Sequence, residues 1–169
     1  MITLEPARPV EADARQVMAW RNDPLTLGMS YHREPKAWDA FWPEFRDGYF
    51  PADVPAPVFA IHRGERVGFV RFGSVEDPDG AGRRCLDVSI NLAPEHRGRG
   101  LGQATLHAVH GRLRALGVAA VYAEVRAENA RSHQAFETAG YRSLGEAEKV
   151  VEDTGERCRI VRYLRELGA

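Results

Sequence analysis

The residues Arg97, Gly98, Arg99, Gly100, Leu101, Gly102 and Gln103 stand between an apolar segment and a helical pattern. The segment Cys85 to Ile90 reads as a strand, and the pattern after the glycines runs to Gly117. A strand, a glycine-rich turn and a helix N-terminus together make a site for an anion. Backbone N–H groups point outward at a helix start, and the helix dipole favours negative charge there. Glycine lets the backbone approach a ligand closely, and Arg97 and Arg99 add fixed positive charge. A cosubstrate bearing phosphate or pyrophosphate is the expected occupant. Other phosphate loops fit poorly. The dinucleotide fingerprint G-x-G-x-x-G fails because the glycines fall at 98, 100 and 102, and Gln103-Ala104 replaces the Lys-Ser/Thr pair of a P-loop. What remains is R-x-x-G-x-G, a pattern that a tight βα turn without any ligand could also carry.

Titratable residues cluster near the same strands. Asp87 lies on the strand before the turn, and Tyr122 and Glu124 lie two apart on a later strand, so they share one face. His96 has a suitable intrinsic pKa but sits in the turn itself. Each of these could equally be an ordinary surface or structural polar group. Neither Cys85 nor Cys158 lies near a His/Asp arrangement that would make it a covalent nucleophile. Both fall in apolar runs and read as buried free thiols.

The elements that must position these groups can be read from periodicity. Ile2 to Arg8 reads as a strand, and Pro9, Glu11 and Asp13 begin a helix that stops at Asn22-Asp23-Pro24. Leu25 to Arg33 reads as loop. A second helix begins near Pro35 with Trp38, Phe41, Trp42 and Phe45 on one face, and Pro43 should kink or split it. Val58 to His62 and Arg66 to Phe72 read as a hairpin around Arg63-Gly64-Glu65. The third strand runs from Cys85 to Leu92. The helix after the turn has a stripe of Leu106, Val109, Leu113 and Leu116, which places Gly102 on the buried face and predicts close helix–sheet packing there. Val118 to Arg126 is a strand, Asn129 caps a helix running to Ala139, and Tyr141 to Val151 with Cys158 to Leu164 form a last hairpin. This order predicts an α+β fold: a central mixed, mostly antiparallel sheet of about seven strands flanked by about four helices.

The chain has 169 residues, so one domain over 1–169 is expected. Apolar residues make up 44% and charged residues 28%, enough for a core and a solvated surface. With 23 basic and 24 acidic residues interspersed and a net charge of −1, no field draws nucleic acid or a membrane surface. The N-terminus lacks a signal-peptide pattern and no stretch reaches the ~20 apolar residues of a membrane span, so a cytoplasmic protein is expected.

One strand downstream of the turn lies Asn129-Ala130-Arg131-Ser132-His133-Gln134-Ala135-Phe136-Glu137-Thr138-Ala139-Gly140-Tyr141. Together with Arg97-x-x-Gly100-x-Gly102, it resembles the GNAT superfamily of acyltransferases, most firmly over residues 58 to 142. The resemblance implies the GNAT fold and acetyl-CoA as cosubstrate, with no metal and no acyl-enzyme. It implies that Arg97 to Gln103 hold the CoA pyrophosphate and that the arm pairs with backbone of Ile90 to Leu92 like an added strand. Asn129, Ser132 and Phe136 would lie beside the arm and thiol. Asp87 aligns with an acidic residue frequent on this strand in the family, which can act through a water, with Glu124 and Tyr122 as further candidates. Many relatives carry a tyrosine near the sulfur where this chain has Phe136, so that acid is absent; Tyr122 or Tyr141 could substitute. Trp20-Arg21-Asn22-Asp23-Pro24 resembles a segment found in two branches, one acting on ribosomal-protein N-termini and one on nucleotide-linked amino sugars. The acceptor would then be a small-molecule amine such as an amino sugar, with a protein N-terminus as the alternative, contacted by Trp20, Arg21, Asn22, Tyr31 and Trp38. His32 and Arg33 are plausible further contacts. The aromatic stripe of Trp38, Phe41, Trp42 and Phe45 could be core or an acceptor wall. A non-catalytic acyl-CoA sensor is the competing class, and a homodimer is compatible with the family.

Overall fold

Two neighbouring strands run parallel but pair over only a short stretch, and the site is built on their separation. The computed structural model describes residues 1–168. In chain order the elements are β1 (Ile2–Pro6), α1 (Glu11–Arg21), α2 (Pro24–Gly28), α3 (Trp38–Gly48), β2 (Val58–His62), β3 (Glu65–Val75), β4 (Cys85–Leu92), α4 (Leu101–Ala115), β5 (Ala120–Arg126), α5 (Ala130–Thr138), β6 (Arg142–Val150) and β7 (Arg157–Glu166). They form one seven-stranded sheet in the order β1-β2-β3-β4-β5-β7-β6. Among the described residues β4 and β5 are the only parallel neighbours, and they pair only as Cys85↔Ala120, Leu86↔Val121 and Asp87↔Tyr122. Beyond Asp87 the two strands diverge, although β4 stays paired with β3 as far as Leu92.

Each face of the sheet has its own core. On one side Leu86, Val88, Val121, Ala123 and Val125 pack against Leu106, Val109 and Leu113 of α4 and Phe136 of α5. On the other, Phe59 and Phe69 pack against Val17 and Trp20 of α1 and Phe41 and Phe45 of α3. Burying each such side chain contributes roughly 1.5–3 kcal/mol, so these layers hold the diverging strands from both sides.

Several expectations are corrected. Leu25 to Arg33 is not all loop: Pro24–Gly28 is a helical turn, because Pro24 occupies its start and the Asp23 side chain accepts from Thr26 N–H at 3.3 Å. Of the two outcomes expected at Pro43, a kink or a split, the split does not occur: α3 runs through it. Phe41 and Phe45 on either side of it are fully buried, and that burial outweighs the hydrogen bond that proline cannot donate. Leu116 leaves the α4 stripe, because it follows the last helical turn and is exposed.

Candidate active site

The glycine turn is shaped for an anion. Gly98 and Gly100 have φ of 76° and 74°, a left-handed conformation that other residues adopt only with strain. Gly100 is the N-cap of α4, and the first intrahelical bond is Ala104 N–H to Gly100 O at 3.2 Å. The N–H groups of Leu101, Gly102 and Gln103 therefore have no acceptor among the described residues and point outward from the helix start. Gly102 answers to no steric need: an added Cβ would sit 3.6 Å from Leu92 Cδ1 and 3.7 Å from Ala135 Cβ, which is ordinary contact. The two arginines diverge. Arg97 donates through Nη2 to Asp23 Oδ2 and Thr26 Oγ1, both at 2.8 Å, and so ties the turn to α2. Burial opposes ionisation of Asp23, but the Arg97 hydrogen bond and the α2 N–H groups outweigh it and hold its carboxyl below the ordinary value. Arg99 turns back toward Glu95 O at 3.4 Å and does not face the cavity.

Where β4 and β5 part, a cavity of about 950 Å³ passes between them. Thr26, Gly98, Gly100, Leu101, Gly102 and Gln103 line one end, and Arg21, Tyr31 and Glu124 also line the cavity. Ile90 and Leu92 lie along it, as do Asn129, Ser132 and Phe136 of the α5 segment. The Asn129 side chain accepts from Ser132 N–H at 3.3 Å, which fixes the start of α5 at the cavity wall. Ala93 N–H donates to Val67 O at 2.8 Å, toward β3. Alternation along the strand then turns the N–H groups of Leu92 and Ile90 into the gap, free for a ligand.

At the end of the cavity Glu124 collects three donors. The Tyr122 hydroxyl donates to Oε2 at 2.7 Å, the Tyr31 hydroxyl to Oε1 at 3.1 Å, and Lys149 Nζ lies 3.1 Å from Oε1. Arg162 Nε donates to the Tyr122 hydroxyl at 3.0 Å. Burial and the hydrogen bond to Glu124 push the Tyr122 phenol up to about 12, and burial beside the same carboxylate raises Tyr31. Asp87 is placed opposite Tyr122 and shares its face. Burial first, then repulsion from Glu124, push its carboxyl up to about 6, against the pull of Lys149 and Arg71. Glu124 lines the cavity, whereas Asp87 and Tyr122 lie behind that lining. Among the described residues no group of three or more His, Cys, Asp or Glu gathers to hold a metal.

The family model for the acetyltransferase (GNAT) family matches residues 15–141. The chain belongs to that family. Its fold agrees with solved relatives. A GNAT superfamily phosphinothricin acetyltransferase from Sinorhizobium meliloti, in complex with AcCoA, superposes with a TM-score of 0.76 at 25% identity, covering 99% of this chain and 89% of that one. AAC(6')-Ib, in complex with ribostamycin and coenzyme A, gives 0.78 at 16% identity over 98% and 93% of the two chains. A ribosomal-protein-alanine N-acetyltransferase from Brucella melitensis gives 0.72 at 20% identity over 97% and 99%. No curated protein matches the sequence.

In this acetyltransferase the side of the cavity formed by α5 has no hydroxyl at Phe136. That ring is buried, edge-on to Tyr141 at 4.9 Å and stacked on Tyr163 at 6.1 Å. Tyr141 is not a substitute acid, because its hydroxyl is bound to His110 Nε2 at 2.7 Å inside the core. His96 points away, toward Glu65 at 3.5 Å.

The residues expected to contact an acceptor separate into two groups. Tyr31 and Arg21 line the cavity, and Arg21 also donates to the Tyr49 hydroxyl at 2.6 Å. Trp20 does not: it is core, edge-on to Phe59 at 6.1 Å. Trp38 stacks on Trp42 at 5.7 Å with Arg15 over its ring, also outside the cavity, while Phe41 and Phe45 are core. The aromatic stripe is therefore packing and not an acceptor wall. Asn22 is a brace: its side chain donates to Lys36 O at 2.9 Å and accepts from Lys36 N–H at 2.7 Å. His32 lines the cavity, whereas Arg33 pairs outward with Glu156 at 2.9 Å.

Sequence reasoning missed how the segment carrying Tyr31 is held. Asp153 accepts from the N–H groups of Arg33 and Glu34 at 2.6 and 2.9 Å, and Glu152 N–H donates to Tyr31 O at 3.1 Å. The β6–β7 turn thus clasps the stretch between α2 and α3. The acidic cluster Glu152-Asp153 was the available signal, but nothing local joins it to Tyr31.

Proposed function

We propose that this acetyltransferase moves an acetyl group from acetyl-CoA to the primary amine of a small molecule by direct attack. The observation that carries this reading is the continuous cavity running from the unpaired N–H groups of the α4 turn, between β4 and β5, to Glu124. The turn fits a pyrophosphate, with N–H donors and the helix dipole supplying most of the attraction and the free edge of the Arg97 guanidinium adding charge. The gap-facing N–H groups of Ile90 and Leu92 suit an extended arm lying along β4, and the Leu92 N–H suits an oxyanion developing on the thioester carbonyl.

Glu124 is the general base in this reading. It takes a proton from the ammonium so that the neutral nitrogen can attack; the nitrogen–carbonyl bond then forms as the carbon–sulfur bond breaks, and the second proton that the nitrogen sheds on becoming an amide passes to the released thiolate or to solvent. Tyr122 and Tyr31 orient the carboxylate. Asp87 acts from behind through a water or through its charge. A thiol with an ordinary pKa near ~8.5 departs as thiolate without an acid, which agrees with phenylalanine at position 136.

The small-molecule reading is supported by the two relatives whose names carry small acceptors or ligands, phosphinothricin and ribostamycin. Stacking of a sugar or base on Trp38 and its neighbours finds no support, since they do not line the cavity, and the nucleotide-linked amino sugar rests on the resemblance of Trp20 to Pro24 alone. Thiol release from acetyl-CoA across a panel of amines tests the reading. Turnover on small amines is expected. Binding of acetyl-CoA with no turnover on any amine would leave only a sensor, and turnover confined to peptides would move the acceptor to a protein N-terminus.

A further inference from the structure

Arg126 has no role in the chemistry above, yet among the described residues it is one of four buried polar or charged side chains, 8% exposed. It ends β5 two residues after Glu124, so both project from the same face, away from α4, with their Cβ atoms roughly 7 Å apart. Both line the cavity. The Arg126 Nε donates to Glu128 Oε1 at 2.6 Å, which leaves the terminal Nη1 buried with no acceptor. A guanidinium nitrogen in that state is costly, since an unmet donor on a charged group forfeits its solvation without recompense. The same cavity is lined by Arg21 and Lys36, with Glu124 and Glu128 as its carboxylates.

We infer that Arg126 is the subsite for an acid group on the acceptor, so that the amine substrate is of the amino-acid type. This rests on the reading of the protein as an amine acetyltransferase with Glu124 at the amine. Glu124 then faces the nitrogen, and Arg126, one strand repeat further along, receives a carboxylate or phosphonate only a few bonds from it. Glu128 holds Nε and so fixes the plane of the guanidinium, which leaves the terminal nitrogens as its remaining donors for an acid group.

The test uses free L-amino acids, each paired with its own carboxamide, as acceptors for acetyl-CoA with the intact enzyme. Within a pair the side chain and the amine position are constant. The carboxamide is the weaker base and offers more neutral amine near neutral pH, so a preference for the acid cannot come from basicity. The acid is expected to exceed its carboxamide in kcat/KM by about 10- to 150-fold in at least one pair. That ratio should fall toward one in Arg126→Gln and be partly kept in Arg126→Lys. Because the comparison is made within one enzyme preparation, a loss of folded protein cancels. Equal rates, a preference for the carboxamide, turnover restricted to amines lacking an acid, or an unchanged ratio in Arg126→Gln overturns the subsite and leaves the acetyltransferase reading intact. No turnover on any amine overturns that reading and the subsite with it.

Discussion

The Tyr31 hydroxyl donates to Glu124 Oε1 at 3.1 Å across a separation of 93 residues. This bond brings the segment between α2 and α3 onto the end of the cavity and places a phenol on the carboxylate that faces it. Glu124 also accepts from Tyr122 and pairs with Lys149, so its carboxylate is held from three elements. A base held this way should carry the proton transfer. Glu124→Gln is expected to lower kcat by about 10²- to 10⁴-fold while leaving acetyl-CoA affinity by calorimetry nearly unchanged. Asp87→Asn, behind the cavity lining, should cost less. If Asp87→Asn proves the more damaging of the two, the roles are reversed.

Asp87 should reveal itself in stability as well as rate. Its carboxyl is pushed up to about 6 from an ordinary value of 3.8, by burial and then by Glu124. A raised carboxyl pKa means the native state holds the proton more tightly than the unfolded chain does. Ionised Asp87 therefore weakens the fold: the penalty is absent below about pH 4, grows between 4 and 6, and reaches up to ~3 kcal/mol above 6. Asp87→Asn should raise Tm at pH 7–8, and the gain should shrink as pH falls toward 4. A gain that stays constant with pH would show that Asp87 is not strained by its charge.

Features legible in the sequence were those written in adjacent residues. The turn at Gly98 and Gly100 announces itself because φ near +75° is an intrinsic demand for glycine. Asn129 announces the start of α5 because a cap acts within one helical turn. From these and the strand pattern, the sheet and the line of the cavity follow. The separation of β4 from β5 was readable only through family resemblance, since nothing in Val88 to Leu92 says that pairing stops at Asp87. Trp20 and Trp38 were misplaced because an aromatic at helical spacing looks the same whether it packs inward or toward a ligand. Tyr31–Glu124, Asp23–Arg97 and the clasp at Asp153 join distant positions, and charge or hydroxyl alone does not choose a partner.

Asn22 offers a test of bracing without contact. Its amide closes a two-bond ring with the backbone of Lys36 and so fixes both ends of the segment that carries Tyr31. Asn22→Ala removes both bonds and leaves two backbone groups to find water. A destabilisation of about 1–3 kcal/mol is expected, with KM for the amine raised and acetyl-CoA affinity unaltered. The affinity should be measured by calorimetry below the shifted Tm. A parallel loss of acetyl-CoA binding would mean that the brace also shapes the α4 turn.

Arg97 and Arg99 are two residues apart in one turn and should behave differently. Arg97 lines the cavity, and its Nη2 is already bound to Asp23 and Thr26, so it supplies charge at the turn and ties α2 to it. Arg99 faces the exposed Glu95 carbonyl side and lies outside the cavity. Charge near a phosphate acts over several ångströms, but exposed charges are screened within about 10 Å at ordinary salt, whereas a half-buried one is not. Arg97→Ala should therefore weaken acetyl-CoA by about tenfold or more and lower Tm through the lost tie to Asp23. Arg99→Ala should change affinity by less than about threefold, and more at low salt than at high. The two variants titrated with acetyl-CoA at two salt concentrations decide the matter: equal losses would mean that the turn attracts its anion through net charge alone, and the geometry that separates the two side chains would carry no functional weight.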